Sequence, residues 1–194
     1  ILAGGANTLL NKPQVAARFL ERALIVNPRS AAAHIALAQI QVATDDHGNA
    51  RAHLRKAVEL EPDNLQAAFA LARVHHAARE YDQALGVLAD IEKKWPNRVE
   101  TPVLKAQVLY DMKDVAGARR TLEARLAAAP KDAGAVLNIA RIDLAEGKLA
   151  DAGKRVKSVL DLNPNHLEAL LMQSRIAEKR SEERRVGKEC SLPC

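Results

Sequence analysis

Residues 65–98 read LQAAFALARVHHAAREYDQALGVLADIEKKWPNR, and this stretch is one unit of a pattern that recurs along the chain every 34 residues. The clearest marker of the pattern is Pro96, near the end of the unit. Prolines recur at the same interval on both sides, at Pro28, Pro62, Pro130 and Pro164. A fixed period of this length predicts a solenoid of stacked helix pairs. The resulting units are a truncated one at 1–30, complete ones at 31–64, 65–98, 99–132 and 133–166, and a final helix from residue 167.

Two columns of the repeat hold only small residues, as closely packed helices require. Position 20 is always alanine, and position 8 is glycine, alanine or serine. Small side chains at a helix crossing allow the two backbones to approach each other. Position 24 is large and apolar, and we expect it to fill the space between units. The columns are Ala16, Ala50, Ala84, Ala118 and Ala152; Gly4, Ala38, Ala72, Ala106, Ala140 and Ser174; and Leu20, Leu54, Leu88, Leu122 and Val156.

These columns resemble the tetratricopeptide repeat family, whose pattern has a small residue at position 8, alanine at 20, a large apolar residue at 24 and proline at 32. The resemblance covers residues 1–179. It implies an all-α fold, a right-handed α-solenoid of about eleven antiparallel helices with turns near the five prolines. It also implies that the first helix of each unit lines a concave face that binds other proteins.

The composition favours helices and gives little information about partners. Aromatic residues make up only 3% of the chain, and no alternating Val/Ile/Thr run of the kind that forms strands is present. No apolar run approaches the roughly 18 residues of a membrane-spanning helix. The net charge of +5 is spread along the chain. It therefore modestly favours an acidic protein or peptide partner and does not indicate nucleic acid.

The end of the chain departs from the repeat pattern. Residues 180–190, RSEERRVGKEC, match the read-through translation of a common sequencing-library adapter, so we assign residues 180–194 to a non-native tail. Both cysteines, Cys190 and Cys194, fall in this tail and give no information about redox compartment. We expect the chain to be a fragment of a bacterial or metagenomic tetratricopeptide protein from the cytoplasm or the cell envelope.

The candidate binding surface consists of outward positions of the first helices. Position 5 is apolar in every unit, and position 9 alternates between glutamine and arginine in the complete units. Such a surface suits a peptide with acidic or amide side chains, because a guanidinium group holds a carboxylate through two hydrogen bonds. The candidate partner-binding residues are Ile35, Gln39, Phe69, Arg73, His76, Val103, Gln107, Tyr110, Leu137, Asn138, Arg141 and Arg175.

Two polar residues interrupt the expected core of the third complete unit. Lys105 stands at position 7 and Arg125 at position 27, where apolar residues are usual. We expect this unit to pack less well, unless the apolar stems of both side chains cover the core while their charged ends reach water.

No set of residues predicts catalysis, a cofactor or a metal site, so we expect a protein that is not an enzyme. The adjacent His75 and His76 point about 100° apart on a helix, and His47 and His53 lack a third ligand at suitable spacing. We expect ordinary surface histidines. Two alternatives remain open. An RNA-binding helical-repeat protein fits the pI of 9.4 but lacks stacking aromatic residues in each unit. The second is a non-catalytic repeat arm of a larger enzyme.

Overall fold

The computed structural model describes residues 13–189, and the regular secondary structure of this part of the chain consists of α-helices joined by turns of three to five residues. The prediction of an all-α solenoid of helix pairs is confirmed. None of the described helices is long and apolar enough to cross a membrane. The helices are α1 (Pro13–Val26), α2 (Ala31–Ala43), α3 (His47–Leu60), α4 (Leu65–Ala77), α5 (Tyr81–Lys94), α6 (Glu100–Asp111), α7 (Val115–Ala128), α8 (Ala133–Ala145), α9 (Leu149–Leu162) and α10 (Leu167–Glu189).

These helices follow the frame that the prolines define. Each complete unit contains one helix pair: α2 with α3, α4 with α5, α6 with α7, and α8 with α9. We expected about eleven helices, and ten lie within the described residues. The helix that we expected at the start of the truncated unit lies outside the described residues. On a larger scale than the 34-residue repeats, the chain divides into two compact units. We call them unit 1, at residues 1–101, and unit 2, at residues 102–194.

Side-chain caps fix where the helices begin. Ser30, Asn64 and Asp132 precede α2, α4 and α8, and each side chain accepts a hydrogen bond from the amide three residues later. Asp46 and Asp114 cap α3 and α7 in the same way. These bonds satisfy amides that have no partner within the helix.

The turn after each of the first helices α2, α4, α6 and α8 contains a residue in the left-handed backbone region. The φ angles are 62° at Asp45, 60° at Arg79, 72° at Lys113 and 75° at Gly147, one residue in each complete unit at position 15. The next amide donates to the carbonyl five residues earlier, as from Asp46 to Gln41 at 2.8 Å. This closure satisfies orphan carbonyls at the helix end. Of these four residues, only Gly147 is of a type from which a left-handed backbone conformation can be predicted.

The core is built from the small and large apolar columns. All five position-20 alanines are fully buried, and the leucines and valine of position 24 are almost fully buried. In unit 1, Ala50 and Leu54 of α3 pack with Ala38 of α2 and Leu71 of α4. Helix α3 is therefore held between the first helix of its own repeat and that of the next.

We expect the position-20 column to reject larger side chains. Ala84→Leu should lower the free energy of unfolding by about 1–3 kcal/mol, because Ala84 has no exposed surface and a leucine must displace its neighbours. Urea unfolding measures the effect. The exposed substitution Lys157→Ala should change stability by less than about 0.5 kcal/mol. Equal effects at the two sites would contradict this packing.

The polar residue at position 27 of the third complete unit has a specific partner. The Nε atom of Arg125 lies 2.7 Å from Oδ2 of Asp132, the residue whose other oxygen caps α8. The guanidinium thus ties the end of α7 to the start of α8. Unit 2 remains packed here, with Ala106, Ala118 and Leu122 buried.

Helix α10 continues past residue 179 into the segment that we assign to the tail. Arg180 packs over Gly153, and its Nη2 atom donates to the Leu149 carbonyl at 3.0 Å. Residues 181–183 are exposed. The assignment of 180–194 as non-native stays a prediction, and Arg180 itself contacts the fold.

Candidate functional site

Three of the predicted partner-binding residues surround one surface depression in unit 1. Gln39 lies on α2, and Phe69 and Arg73 lie one turn apart on α4. The cavity between these first helices measures about 590 Å³. We call it the α2–α4 depression; its lining residues are Ala38, Gln39, Val42, Leu54, Leu65, Gln66, Phe69, Ala70, Arg73, Val74 and Glu100.

The α2–α4 depression combines an apolar interior with polar groups that have no internal partner. Phe69 is half-buried, and Val42 is 40% exposed although it is apolar. Gln39 and Arg73 are both exposed, and neither has a hydrogen bond or an ion pair within residues 13–189. Glu100 adds one carboxylate to the lining. Such an arrangement accommodates an apolar side chain and leaves an unpaired guanidinium beside it.

The corresponding residues of unit 2 bond to one another instead. Asn138 accepts hydrogen bonds at its Oδ1 atom from Gln107 at 3.3 Å and from Arg141 at 3.1 Å. Arg141 also donates to Glu168 at 2.7 Å, and the Asn138 amide donates to the Gly134 carbonyl at 2.8 Å. These groups are therefore less available to a partner than Gln39 and Arg73.

Position 5 does not form the continuous exposed apolar strip that the sequence suggested. Leu137 is fully buried and Ile35 nearly so, because both belong to the hydrophobic cores of their units. Phe69 and Val103 are half-buried at the same position, so the column changes from core to surface between units. Leu137 and Ile35 therefore belong to the core and not to the candidate surface.

The remaining candidates lie outside the α2–α4 depression. His76 is half-buried with its ring 6.0 Å from that of Tyr81, and Tyr110 packs against the core of unit 2. Arg175 is exposed on α10. None of these three borders the cavity that holds Phe69 and Arg73.

The expectation of ordinary surface histidines is wrong for His75. Its ring is only 2% exposed, and its Nδ1 atom lies 2.6 Å from Oε2 of Glu80, which also pairs with Arg51 of the preceding repeat. The hydrogen bond from His75 lowers the pKa of Glu80 and, with that from Arg51, outweighs the opposing effect of desolvation. No cluster of three or more metal-ligating side chains occurs in the described part of the chain.

A second polar network that the sequence did not predict is buried in unit 2. Asp143 of α8 is 2% exposed and accepts one hydrogen bond from Arg119 and one from Arg155, each at 2.8 Å. Arg119 also reaches Glu146 at 2.9 Å. A signal exists in hindsight: arginine at position 21 of one repeat is followed by an acid at positions 11–16 of the next. These contacts join α7, α8 and α9.

Similar structures share this architecture at low sequence identity. The thermophilic tetratricopeptide protein TTC0263 from Thermus thermophilus is 22% identical, with a TM-score of 0.70 over 90% of this chain and 95% of that one. The type IV pilus biogenesis factor PilW is 19% identical, with a TM-score of 0.70 over 90% and 81%. YrrB, a tetratricopeptide protein described as having an unusual peptide-binding site, is 19% identical, with a TM-score of 0.61 over 88% of each chain. These similarities establish the fold alone.

Sequence comparison identifies the family. No curated protein sequence matches the chain significantly. A model of the anaphase-promoting complex, cyclosome, subunit 3 matches residues 44–125. A tetratricopeptide repeat model matches residues 10–60 and 103–166, more than half of the chain. The five-fold proline and alanine columns, the helix pairs and this match agree: the chain belongs to the tetratricopeptide repeat family.

Proposed function

We propose that the chain is a protein–protein interaction scaffold and that the α2–α4 depression binds a peptide segment of its partner. The observation that carries this proposal is the unpaired Arg73 beside Phe69, at the edge of a cavity between two first helices. Ligand-binding sites are mostly apolar with a few polar or charged groups that orient the ligand, and an exposed cation beside an apolar cavity fits this description.

The chemistry of the α2–α4 depression favours an apolar side chain followed by a carboxylate. Phe69 and Val42 offer apolar contact area, and burying that area drives association. Arg73 can hold a carboxylate through two parallel hydrogen bonds, and Gln39 can donate to a peptide carbonyl. Glu100 repels an acidic group, which favours binding of the acidic side of the peptide at Arg73.

A non-catalytic role accompanies this proposal. Tetratricopeptide proteins are typically scaffolds without catalytic activity of their own. The polar networks of this chain, around Glu80 and around Asp143, connect helices within the fold and do not line the α2–α4 depression. We therefore propose binding as the activity of the α2–α4 depression.

The probe is a displayed library of random peptides selected on the wild-type chain, from which we expect sequences that pair an acidic with an apolar residue. We expect Arg73→Glu to weaken the binding of these selected peptides at least about tenfold, because it places a carboxylate against the acidic partner group. Fluorescence anisotropy of labelled peptides measures the affinity. Arg55→Glu, on the exposed face of α3, makes the same charge change outside the α2–α4 depression and should bind normally.

Two results would contradict the proposal. The first is equal peptide affinity in the wild type and in Arg73→Glu. The second is failure of the library together with tight binding of single-stranded polyuridine that falls steeply with added salt, which would support the RNA alternative.

A further inference from the structure

The hydrogen-bond pattern around two histidines of unit 1 fixes the position of each ring proton when both rings are neutral. Nε2 of His34 lies 3.1 Å from the Pro28 carbonyl oxygen, which only accepts hydrogen bonds, so Nε2 carries a proton. Nδ1 of a neutral His34 therefore bears a lone pair. Nδ1 of His53 lies 2.8 Å from it and must be the donor. Nε2 of His53 then carries the second lone pair.

The two rings meet head-on. Their centroids are 5.1 Å apart, so the two Nδ1 atoms lie close to the line that joins the ring centres. Nitrogens that bind one metal ion must instead point at a common third position. The arrangement suits a shared proton and not a chelated ion. It also connects three parts of unit 1: the turn containing Pro28, helix α2 and helix α3.

We propose that His34 and His53 form a pH-sensitive latch that holds α2 to α3 while the pair carries at most one extra proton and opens when acid supplies a second. With one extra proton, both Nε2 atoms carry protons and a single proton lies between the two Nδ1 atoms, so the bond between the rings stays intact. With a second extra proton, both Nδ1 atoms carry protons, which removes the acceptor and places two N–H groups and two positive charges against each other. The native pair therefore excludes a proton that the unfolded chain accepts.

The surroundings of the latch oppose protonation. Burial and the nearby His34 lower the pKa of His53 below its usual 6.5, and the negative charge of Glu21 on α1 only partly offsets them. Among the described residues, the ring of His34 and the carboxylate of Glu21 are the titratable groups that act on His53. His34 itself is buried. Because the pKa of His53 is lowered in the folded state, the stabilisation is present above about pH 6.5 and is lost as the pH falls below it.

The test compares the pH dependence of unfolding in the wild type and in His53→Asn. Asparagine keeps an amide donor near the position of Nδ1 but does not titrate. For each proton excluded from the native state, the unfolding constant grows about tenfold per pH unit. Between about pH 6.5 and 5.5 we expect the wild-type unfolding constant to rise up to about tenfold more than that of His53→Asn. Fluorescence of Trp95, the single tryptophan, which lies in unit 1, follows urea unfolding.

His76→Asn is the matched control, since it removes a half-buried histidine of the same unit that takes no part in the latch. It should keep the wild-type pH dependence. The bond between His75 and Glu80 is present in all three proteins, so its contribution cancels. Identical pH dependence in His53→Asn and the wild type would overturn the proposal.

Nuclear magnetic resonance of the histidine ring nitrogens in the wild type provides a test that needs no variant. We expect protonated Nε2 in His34 and protonated Nδ1 in His53 at neutral pH. A proton on Nδ1 of His34 would overturn the proposal, whether or not the variants fold.

Discussion

Asp143→Ala should lower the free energy of unfolding by about 3 kcal/mol, because it leaves two arginines without the carboxylate around which they pack. Asp143 is almost fully buried, whereas the side chains of Arg119 and Arg155 are 22% and 36% exposed. This partial exposure lets both guanidinium groups regain some water, which keeps the expected loss at the lower end of the range for broken buried ion pairs. Burial alone would lower the pKa of Arg119, but the hydrogen bond and charge of Asp143 outweigh it and raise the pKa.

Urea unfolding followed by circular dichroism measures this effect. Asp161→Ala is the control, because Asp161 makes an exposed pair with Lys157 within the same helix. Exposed pairs of this kind contribute about 0.3–0.5 kcal/mol. If the two aspartate variants were equally stable, the network around Asp143 would not support unit 2.

The main chain of this protein could be predicted from sequence because the repeat leaves few alternatives. Alanine at position 20 and proline at position 32 recur in step, and each has a simple steric cause at a helix crossing or in a turn. Ala118 is buried and α7 ends before Pro130, as the frame requires. The left-handed residues at position 15 were missed, because Asp45, Arg79 and Lys113 adopt a backbone conformation that sequence associates with glycine.

The side-chain networks could not be predicted in the same way, since long side chains choose among several acceptors within reach. Arg51 and Arg119 both occupy position 21, yet Arg51 pairs with Glu80 at position 16 and Arg119 with Asp143 at position 11. Which acid is chosen depends on where the next repeat carries a carboxylate. For this reason the repeat frame alone does not reveal that Arg119 has a buried partner.

The same limit explains the partial prediction of the candidate site. The repeat frame placed Gln39, Phe69 and Arg73 on first helices, and these residues do border one cavity. It could not distinguish Arg73 from Arg141, because the two stand at the same position of different repeats. The two arginines differ in their neighbours. Asn138 and Glu168 bind the guanidinium of Arg141, so that group is occupied, whereas the guanidinium of Arg73 is available to a partner.

Leu88→Ala should lower the free energy of unfolding by about 3 kcal/mol, since the substitution removes apolar contact and leaves a cavity. Leu88 stands at position 24 of its repeat, has no exposed surface and lies on α5, the second helix of its pair. The tightly packed position-20 alanine on the same helix, Ala84, restricts how far the neighbouring backbone can collapse into the space.

Trp95 fluorescence during urea unfolding is the measurement for Leu88→Ala, because this tryptophan follows α5 directly in the chain. Gln83→Ala, an exposed change on the same helix, should shift the free energy by less than about 0.5 kcal/mol. A loss at Leu88 no larger than that at Gln83 would mean that position 24 does not bear the packing between helices. A loss near about 3 kcal/mol would instead tie the stability of unit 1 to one leucine in a column that recurs every 34 residues.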